Sequence, residues 1–389
     1  MFEENRQKLS RQHLWRELTT IDSPSGVDIT IKGQSTLLFA SNNYLGLAND
    51  PTIKAAAIAA IHRYGVGAGA SRLISGTLTP HGDLESQLAR FKGTEGALSF
   101  SSGYTTNIGS IPALIDEKGL ILADRLCHAS LFEGCRLSKA RLRIFHHNDL
   151  DHLKKLLSNR PAGQPTLVVT EGVFSMDGDL APLLDLVNLA KHFEATLLVD
   201  DAHGTGVMGQ SGRGTAEHFG IHPMDILHMG TLSKALGVSG GFIAGSKSLI
   251  DYLINTSRPF IFSTAPPPAL AAAALAALNL VQSEPDRRSR LWANRTHLYA
   301  GIQAMGFQLT QTESPILPIL LKEPERATQM SRALLQEGFF IPAIRPPTVP
   351  KGTSRLRITV TADHTREQID SCLTALGRAG TTLHVIDPI

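Results

Sequence analysis

Short apolar runs bounded by turn-forming residues recur through the middle of the chain: Ala97 to Phe100, Leu120 to Ala123, Leu142 to Phe145, Leu167 to Thr170, Thr196 to Val199, Ile226 to Met229 and Phe242 to Ala244. Their length and apolar character predict strands buried on both faces. Between them the apolar spacing changes to three and four residues. Pro51 opens a predicted helix through Tyr64, and Leu84, Leu88 and Phe91 mark another over Asp83 to Phe91. Asp149 to Leu157 and Pro182 to Phe193 read as helices as well. Strands alternating with helices predict an α/β fold with a mostly parallel central sheet and helices on both faces. In such sheets ligands gather at the carboxyl ends of the strands.

From about Pro285 the texture changes. Arg287 to Met305 predicts a long helix, Ile316 to Leu321 and Arg355 to Thr361 predict strands, and Thr365 to Leu376 predicts a helix. A smaller α+β C-terminal domain over residues 285–389 follows, beside a large α/β domain over 46–284 and an N-terminal segment over 1–45. Ile344 to Gly352, rich in Pro and Gly, reads as a stiff loop. Ala269 to Leu278 is the longest apolar stretch, about half of a membrane span, so it reads as a buried or interfacial helix.

Composition narrows the function classes. The chain of 389 residues is 42% apolar and 19% charged, and 37 Lys plus Arg nearly cancel 35 Asp plus Glu. No net field favours nucleic acid or an anionic membrane, so an acidic ligand must be held by local charges. The polar, mixed-charge start is unlike a signal peptide. Cys127, Cys135 and Cys372 follow no metal or redox spacing, which predicts reduced thiols in a cytoplasmic protein without a resident metal.

Candidate chemistry centres on Lys234. It follows Asp200 by thirty-four residues, and Asp200 ends the apolar run Ala195 to Val199, with His203 three residues on. This is the set a pyridoxal phosphate site needs: a lysine to bond the cofactor, a carboxylate to keep the pyridine nitrogen protonated, and a donor for the ring oxygen. Singly, each has a bland reading as a solvated charge, a strand cap or a loop histidine. Gly103 and Tyr104 can start a helix whose free amides face a phosphate. Thr231 and Ser233 add hydroxyls, although such residues often bond their own backbone. One motif competes: Gly204-Thr-Gly206-Val-Met-Gly209 follows a predicted strand and spells a dinucleotide-binding loop. That fingerprint requires a helix to begin in the loop, and Gly212 and Gly214 break one here.

Successive stretches then carry a resemblance along nearly the whole chain: Ser41-Asn-Asn-Tyr-Leu-Gly-Leu47, Ser71-Arg-Leu-Ile-Ser-Gly-Thr77, Ser102-Gly-Tyr104, His128-Ala-Ser130, Glu171-Gly-Val-Phe-Ser-Met-Asp-Gly-Asp179, Asp200-Asp-Ala-His-Gly204, Gly230-Thr-Leu-Ser-Lys234 and Arg345-Pro-Pro-Thr-Val-Pro350. In this order they resemble the α-oxoamine synthases, within fold type I of the pyridoxal phosphate enzymes. The stretches from Asp200 to Gly206 and Arg258 to Thr264 are most similar to members that join L-alanine to a pimeloyl thioester in biotin synthesis.

The resemblance implies a homodimeric acyltransferase. By it, Lys234 bonds pyridoxal 5'-phosphate and moves the α-proton, Asp200 pairs with the ring nitrogen, His203 bonds the ring hydroxyl and His128 stacks on the ring. Gly103, Tyr104, Ser175 and Thr231 complete the cofactor contacts, with Thr264 reaching the phosphate from the partner subunit. Arg357 holds the amino-acid carboxylate. Arg345 and Thr348 lie in a substrate-closing loop, and Arg16 and Asn42 lie near the acyl group. The acyl carrier, coenzyme A or acyl carrier protein, stays open. So do a sibling that joins glycine to acetyl-CoA, a non-catalytic partner subunit, which Lys234 argues against, and an unrelated nucleotide-binding protein.

Overall fold

The computed structural model describes residues 2–387, so residue 1 and residues 388–389, the outer ends of the expected first and last segments, lie outside the described residues. The chain divides into two compact units. One comprises the chain up to Asn49, Ser175–Asp179 and everything from Asp286 on; the other comprises Asp50–Phe174 and Leu180–Pro285.

The second unit is built on seven strands: β1 (Gly96–Phe100), β2 (Leu120–Asp124), β3 (Arg141–Phe145), β4 (Thr166–Glu171), β5 (Thr196–Asp200), β6 (Leu227–Thr231) and β7 (Gly241–Gly245). Their order is β1-β7-β6-β5-β4-β2-β3. Every pairing is parallel except the two made by β7. Successive side chains feed opposite cores, as a strand covered on both faces requires. Leu198 and Met229 join Ile111, Leu131 and Phe260 on one face, while Leu197 and Val199 join Leu153, Leu186 and Val187 on the other. Parity therefore aims Asp200, two residues beyond Leu198, at the face covered by the helices Gly103–Leu114 and Ala129–Leu137.

Each expected strand of this sheet is present, with ends shifted by a residue or two. β6 runs on to Thr231 because its ladder with β7 continues to the pair Thr231 and Gly241. The helix expected at Asp83 to Phe91 begins at Thr79, where Pro80 sits in the first turn and fixes a helical φ. Pro51–Tyr64 is helical as expected, capped by the Asp50 carboxylate, which accepts from the Thr52 amide at 2.8 Å. Ala269 to Leu278 lies inside a helix, Pro268–Ser283, that buries Ala274, Ala277 and Leu278. Among the described residues no helix is long and apolar enough to cross a membrane.

In the first unit, Ile316–Lys322 pairs antiparallel with Ser354–Thr359, and the helices Pro324–Gln336 and Arg366–Thr382 accompany them. A hairpin of Asp28–Ile31 and Gln34–Leu38 adds Phe339–Phe340 as a parallel neighbour. Ile344 departs from the expected loop. Ala343–Ile344 is a short strand whose Ile344 pairs with Arg355.

Candidate functional site

In the second unit the site grows from three chain ends at one edge of the sheet. Asp200 closes β5 and is 5% exposed. Its Oδ1 accepts from the Ala202 amide at 3.1 Å and its Oδ2 from Asn107 Nδ2 at 2.9 Å. Asn107 reaches it from the helix Gly103–Leu114, one turn beyond the N-terminus. That N-terminus is capped by Ser102, whose hydroxyl accepts from the Thr105 amide at 3.0 Å. Gly103 and Tyr104 occupy the first two positions, where amides lack intrahelical acceptors. The helix end lies close against β7: a Cβ on Gly241 would stand 2.7 Å from both Cα and N of Gly103. Gly134 performs the same service where the helix Ala129–Leu137 crosses, since a Cβ there would meet the Asn107 carbonyl at 2.7 Å.

His128 caps that crossing helix. Its Nδ1 accepts from the Ser130 amide at 3.2 Å and lies 2.8 Å from the Ser130 hydroxyl. Burial holds its pKa below the ordinary histidine value, with the Asp200 charge opposing and the Lys234 charge reinforcing that shift. The structure thus places His128 within the fields of both Asp200 and Lys234. Lys234 is half-buried in the loop after β6. That loop closes on itself, with Leu232 N donating to Gly240 O at 2.9 Å and Gly237 N to Lys234 O at 2.9 Å. Thr231 is buried and spends its hydroxyl locally, on the Gly240 carbonyl at 2.8 Å and beside the Ser233 hydroxyl at 2.7 Å. His203 is buried in the turn after β5, and Thr264 is exposed, bridged to Ser71.

The stretch after Asp200 does not open a helix. Thr215–His218 starts only after Gly214, so the dinucleotide spelling has no helix N-terminus inside its loop. Its glycines instead clear space around a buried carboxylate. A Cβ on Gly204 would lie 2.0 Å from Asp201 Oδ1, and one on Gly214 1.7 Å from Oδ2. Asp201 Oδ2 accepts from Lys92 Nζ at 2.9 Å, and Oδ1 from the Thr215 hydroxyl at 2.8 Å.

The expected substrate residues gather in the first unit in two groups. Arg357, 6% exposed, donates Nε to the Ser175 carbonyl at 2.6 Å and Nη2 to Asn42 Oδ1 at 3.1 Å. Tyr44 stands beside them; burial raises its phenol's pKa against the opposing Arg357 charge. Arg355, on the same strand face, holds Asp177 at 2.6 Å and the Met176 carbonyl at 2.9 Å. In the other group Arg16 donates Nη2 to the carbonyls of Arg345 and Pro346, at 3.2 and 3.1 Å, and toward Thr348 Oγ1 at 3.5 Å. Arg345 in turn donates to the carbonyls of His13 and Trp15. Desolvation, then the charges of Arg16 and Arg332, depress its pKa.

Sequence reasoning missed Asn107 and Ser130. Asn107 follows Gly103 by one helical turn, so it shares the face that meets the strand ends, and that spacing was its available signal. A second cluster, His146, Asp149 and His152, has ligand atoms within 4.8 Å of one another. Local structure accounts for it: Asp149 Oδ1 accepts the His152 amide at 2.9 Å, and His152 Nδ1 accepts the His146 amide at 3.1 Å.

The chain matches the family described as aminotransferase class I and II over residues 34–376. It is 48% identical over 382 residues to the 8-amino-7-oxononanoate synthase of Geobacter sulfurreducens, covering 98% of each chain. Against the protein of that name from Thermoanaerobacter pseudethanolicus it is 44% identical over 384 residues, 98% of this chain and 97% of that one. A serine palmitoyltransferase from S. paucimobilis, solved with a bound PLP–myriocin aldimine, superposes with a TM-score of 0.95 at 36% identity, covering 99% of this chain and 98% of that chain.

Proposed function

We propose that this chain, which belongs to the aminotransferase class I and II family and within it to the α-oxoamine synthases, is a pyridoxal phosphate-dependent acyltransferase that makes 8-amino-7-oxononanoate. The observation that carries the reading is identity of 48% over 98% of the chain to a protein named for that product. The product's connectivity names the substrates. Its carboxyl-to-ketone portion is a pimeloyl group, and the remaining aminoethyl carbons are L-alanine less its carboxylate. The reaction is therefore a condensation of L-alanine with a pimeloyl thioester, with loss of carbon dioxide and of the thiol carrier.

The residues present suit the cofactor. A buried carboxylate with a lone pair left on each oxygen suits a ring N–H, and a glycine-flanked helix N-terminus suits a phosphate. When bound, pyridoxal phosphate supplies a ring that takes up the electron pair left as the α-proton departs. Asp200 keeps the ring nitrogen protonated, the Gly103 and Tyr104 amides take the phosphate, and Thr231 and His203 act as further cofactor contacts. Lys234 would hold the cofactor, and its amine would take the α-proton. His128 would face the ring. Ser175 is a further cofactor contact, and Arg357, steadied by the Ser175 carbonyl and Asn42, takes the amino-acid carboxylate. Arg16 and Asn42 lie near the acyl group, and Arg345 and Thr348 belong to the closing loop.

The reading includes a homodimer. Arg72–Gly76 and Arg258–Phe262 pack together and expose Leu73, Ile74 and Phe262, an apolar surface suited to a second copy that would bring its own Thr264 to the phosphate. It also includes a cytoplasmic setting, in keeping with three free, buried thiols. The test pairs alanine, glycine and serine with pimeloyl, acetyl and succinyl thioesters while thiol release is followed, with Lys234→Ala as control. Alanine with the pimeloyl thioester is expected to give the fastest release, abolished in the variant. Turnover confined to glycine with acetyl-CoA refutes the substrate assignment, and substantial turnover by Lys234→Ala refutes the role of the lysine.

A further inference from the structure

Asn107 is 1% exposed, and both protons of its amide are committed. One goes to Asp200 Oδ2 and the other to Ser130 Oγ, each at 2.9 Å. A carboxylate can only accept, which fixes Nδ2 rather than Oδ1 toward Asp200. Among the described residues Oδ1 finds no partner. An orphaned acceptor is costly, so the amide is retained for what its donors do.

The proton arithmetic runs on to His128. A backbone N–H can only donate, so His128 Nδ1, which receives the Ser130 amide, is an acceptor and the ring proton sits on Nε2. Because Nδ1 is an acceptor, the Ser130 hydroxyl, whose oxygen takes one Asn107 proton, turns its own proton to Nδ1 at 2.8 Å. Protonating Nδ1 would set it against two donors. Three other influences reach this imidazole: burial and the Lys234 charge disfavour its cation, and the Asp200 charge favours it.

We propose that Asn107 is a positioning residue that couples the two ring-facing groups, fixing the Asp200 carboxylate with one amide proton and, through Ser130, holding His128 neutral with its proton on Nε2. The inference rests on the cofactor reading above, in which both groups face the pyridine ring. A neutral imidazole against that ring adds no second cation to drive the proton from the pyridine nitrogen, and the protonated ring is the form that accepts electrons. Asn107 touches no reacting atom. It acts through His128 and Asp200.

The test uses histidine-labelled holoenzyme and follows each ring by NMR through a pH titration, with the His128 signal assigned from its loss in His128→Asn. In the unaltered protein His128 is expected as the Nε2-protonated tautomer, titrating below the ordinary histidine range. Asn107→Leu, which keeps the branched outline without donors, releases the Ser130 hydroxyl from the orientation set by the amide, so that its oxygen can turn to accept from Nδ1–H. It should raise the His128 midpoint by roughly one unit and weaken cofactor retention on dilution by about tenfold. Ser130→Ala severs only the histidine arm. It should raise the midpoint while leaving cofactor retention within about twofold, and it decides the question if Asn107→Leu does not fold.

An Nδ1-protonated tautomer in the unaltered protein overturns the proposal, as does a His128 midpoint that is unchanged or lower in the folded variants. Failure of the unaltered protein to take up cofactor, read from its visible absorbance, would instead defeat the functional reading. The histidine titration in the same sample would still report on the relay.

Discussion

Arg357 is a buried cation, and in the function proposed above its ligand is the amino-acid carboxylate. Among the described residues the hydrogen-bond partners of Arg357, the Ser175 carbonyl, Asn42 Oδ1 and the Tyr44 phenol, are neutral, whereas Arg355 on the same strand face has the Asp177 carboxylate. A buried charge without a counter-ion is costly, and an arriving carboxylate relieves that cost. The planar fork also matters, because the Ser175 and Asn42 contacts fix its plane. Arg357→Lys keeps the charge and loses the fork. It should raise KM for the amino acid roughly ten- to a hundredfold, with a smaller change in KM for the acyl thioester. Steady-state kinetics with each substrate varied in turn provide the check, and an unchanged amino-acid KM would remove Arg357 from the carboxylate.

At the scale of elements, the loop from Asp201 to Thr215 is held by a buried ion pair rather than by its own hydrogen bonds alone. Lys92 Nζ, fully buried, reaches Asp201 Oδ2 at 2.9 Å, Thr205 Oγ1 at 2.8 Å and the Arg213 carbonyl at 2.6 Å. This pins both ends of the loop that carries His203. Lys92→Met leaves Asp201 charged, buried and short of a partner, and should cost about 3–5 kcal/mol of unfolding free energy. Combining it with Asp201→Asn should restore part of that loss, because no lone charge then remains. Urea unfolding of the single and double variants measures both, and a loss below about 1 kcal/mol in Lys92→Met would deny the pair its role.

The same loop marks the limit of what sequence can tell. Its glycine spacing and the strand before it were legible, as was the absence of a helix inside it. What the glycines clear was not, because Lys92 lies 109 positions from Asp201 and only the fold joins them. Asp200 was legible because a strand-end acid after an apolar run has a fixed place in such a sheet, whereas Asn107 had no apolar run to mark it. The long helix over Pro285–Ala304 announced itself by length. Pro324–Gln336 was missed, although its three buried residues, Ala327, Met330 and Leu334, keep the i, i+3, i+7 spacing of one helix face; three positions in a helix of 13 residues make that signal short. The hairpin at Asp28 to Leu38 hangs on Lys32 and Gly33, both at positive φ, and its strands are four and five residues long, too short for periodicity to speak.

For the whole molecule, each compact unit buries a histidine that resists protonation, which ties stability to pH. His228, in the sheet-bearing unit, and His364, in the other, both have pKa values lowered from 6.5 to about 4, first by burial. Their ring nitrogens are occupied by backbone groups, the Pro223 carbonyl at 2.7 Å for His228, and the Thr361 amide and Leu38 carbonyl at 3.0 and 3.2 Å for His364. A lowered folded-state pKa means that the unfolded chain binds the proton first as pH falls. Stability is therefore full above about pH 6.5 and declines as pH drops toward 4. Between pH 7 and pH 5 the two histidines together should remove about 4 kcal/mol. His228→Gln, whose amide can still donate to the Pro223 carbonyl, eliminates one of the two contributions. Its loss between those pH values in urea unfolding should be smaller than the unaltered protein's by about 2 kcal/mol. Equal losses in the two proteins would show that His228 is not a source of the acid sensitivity.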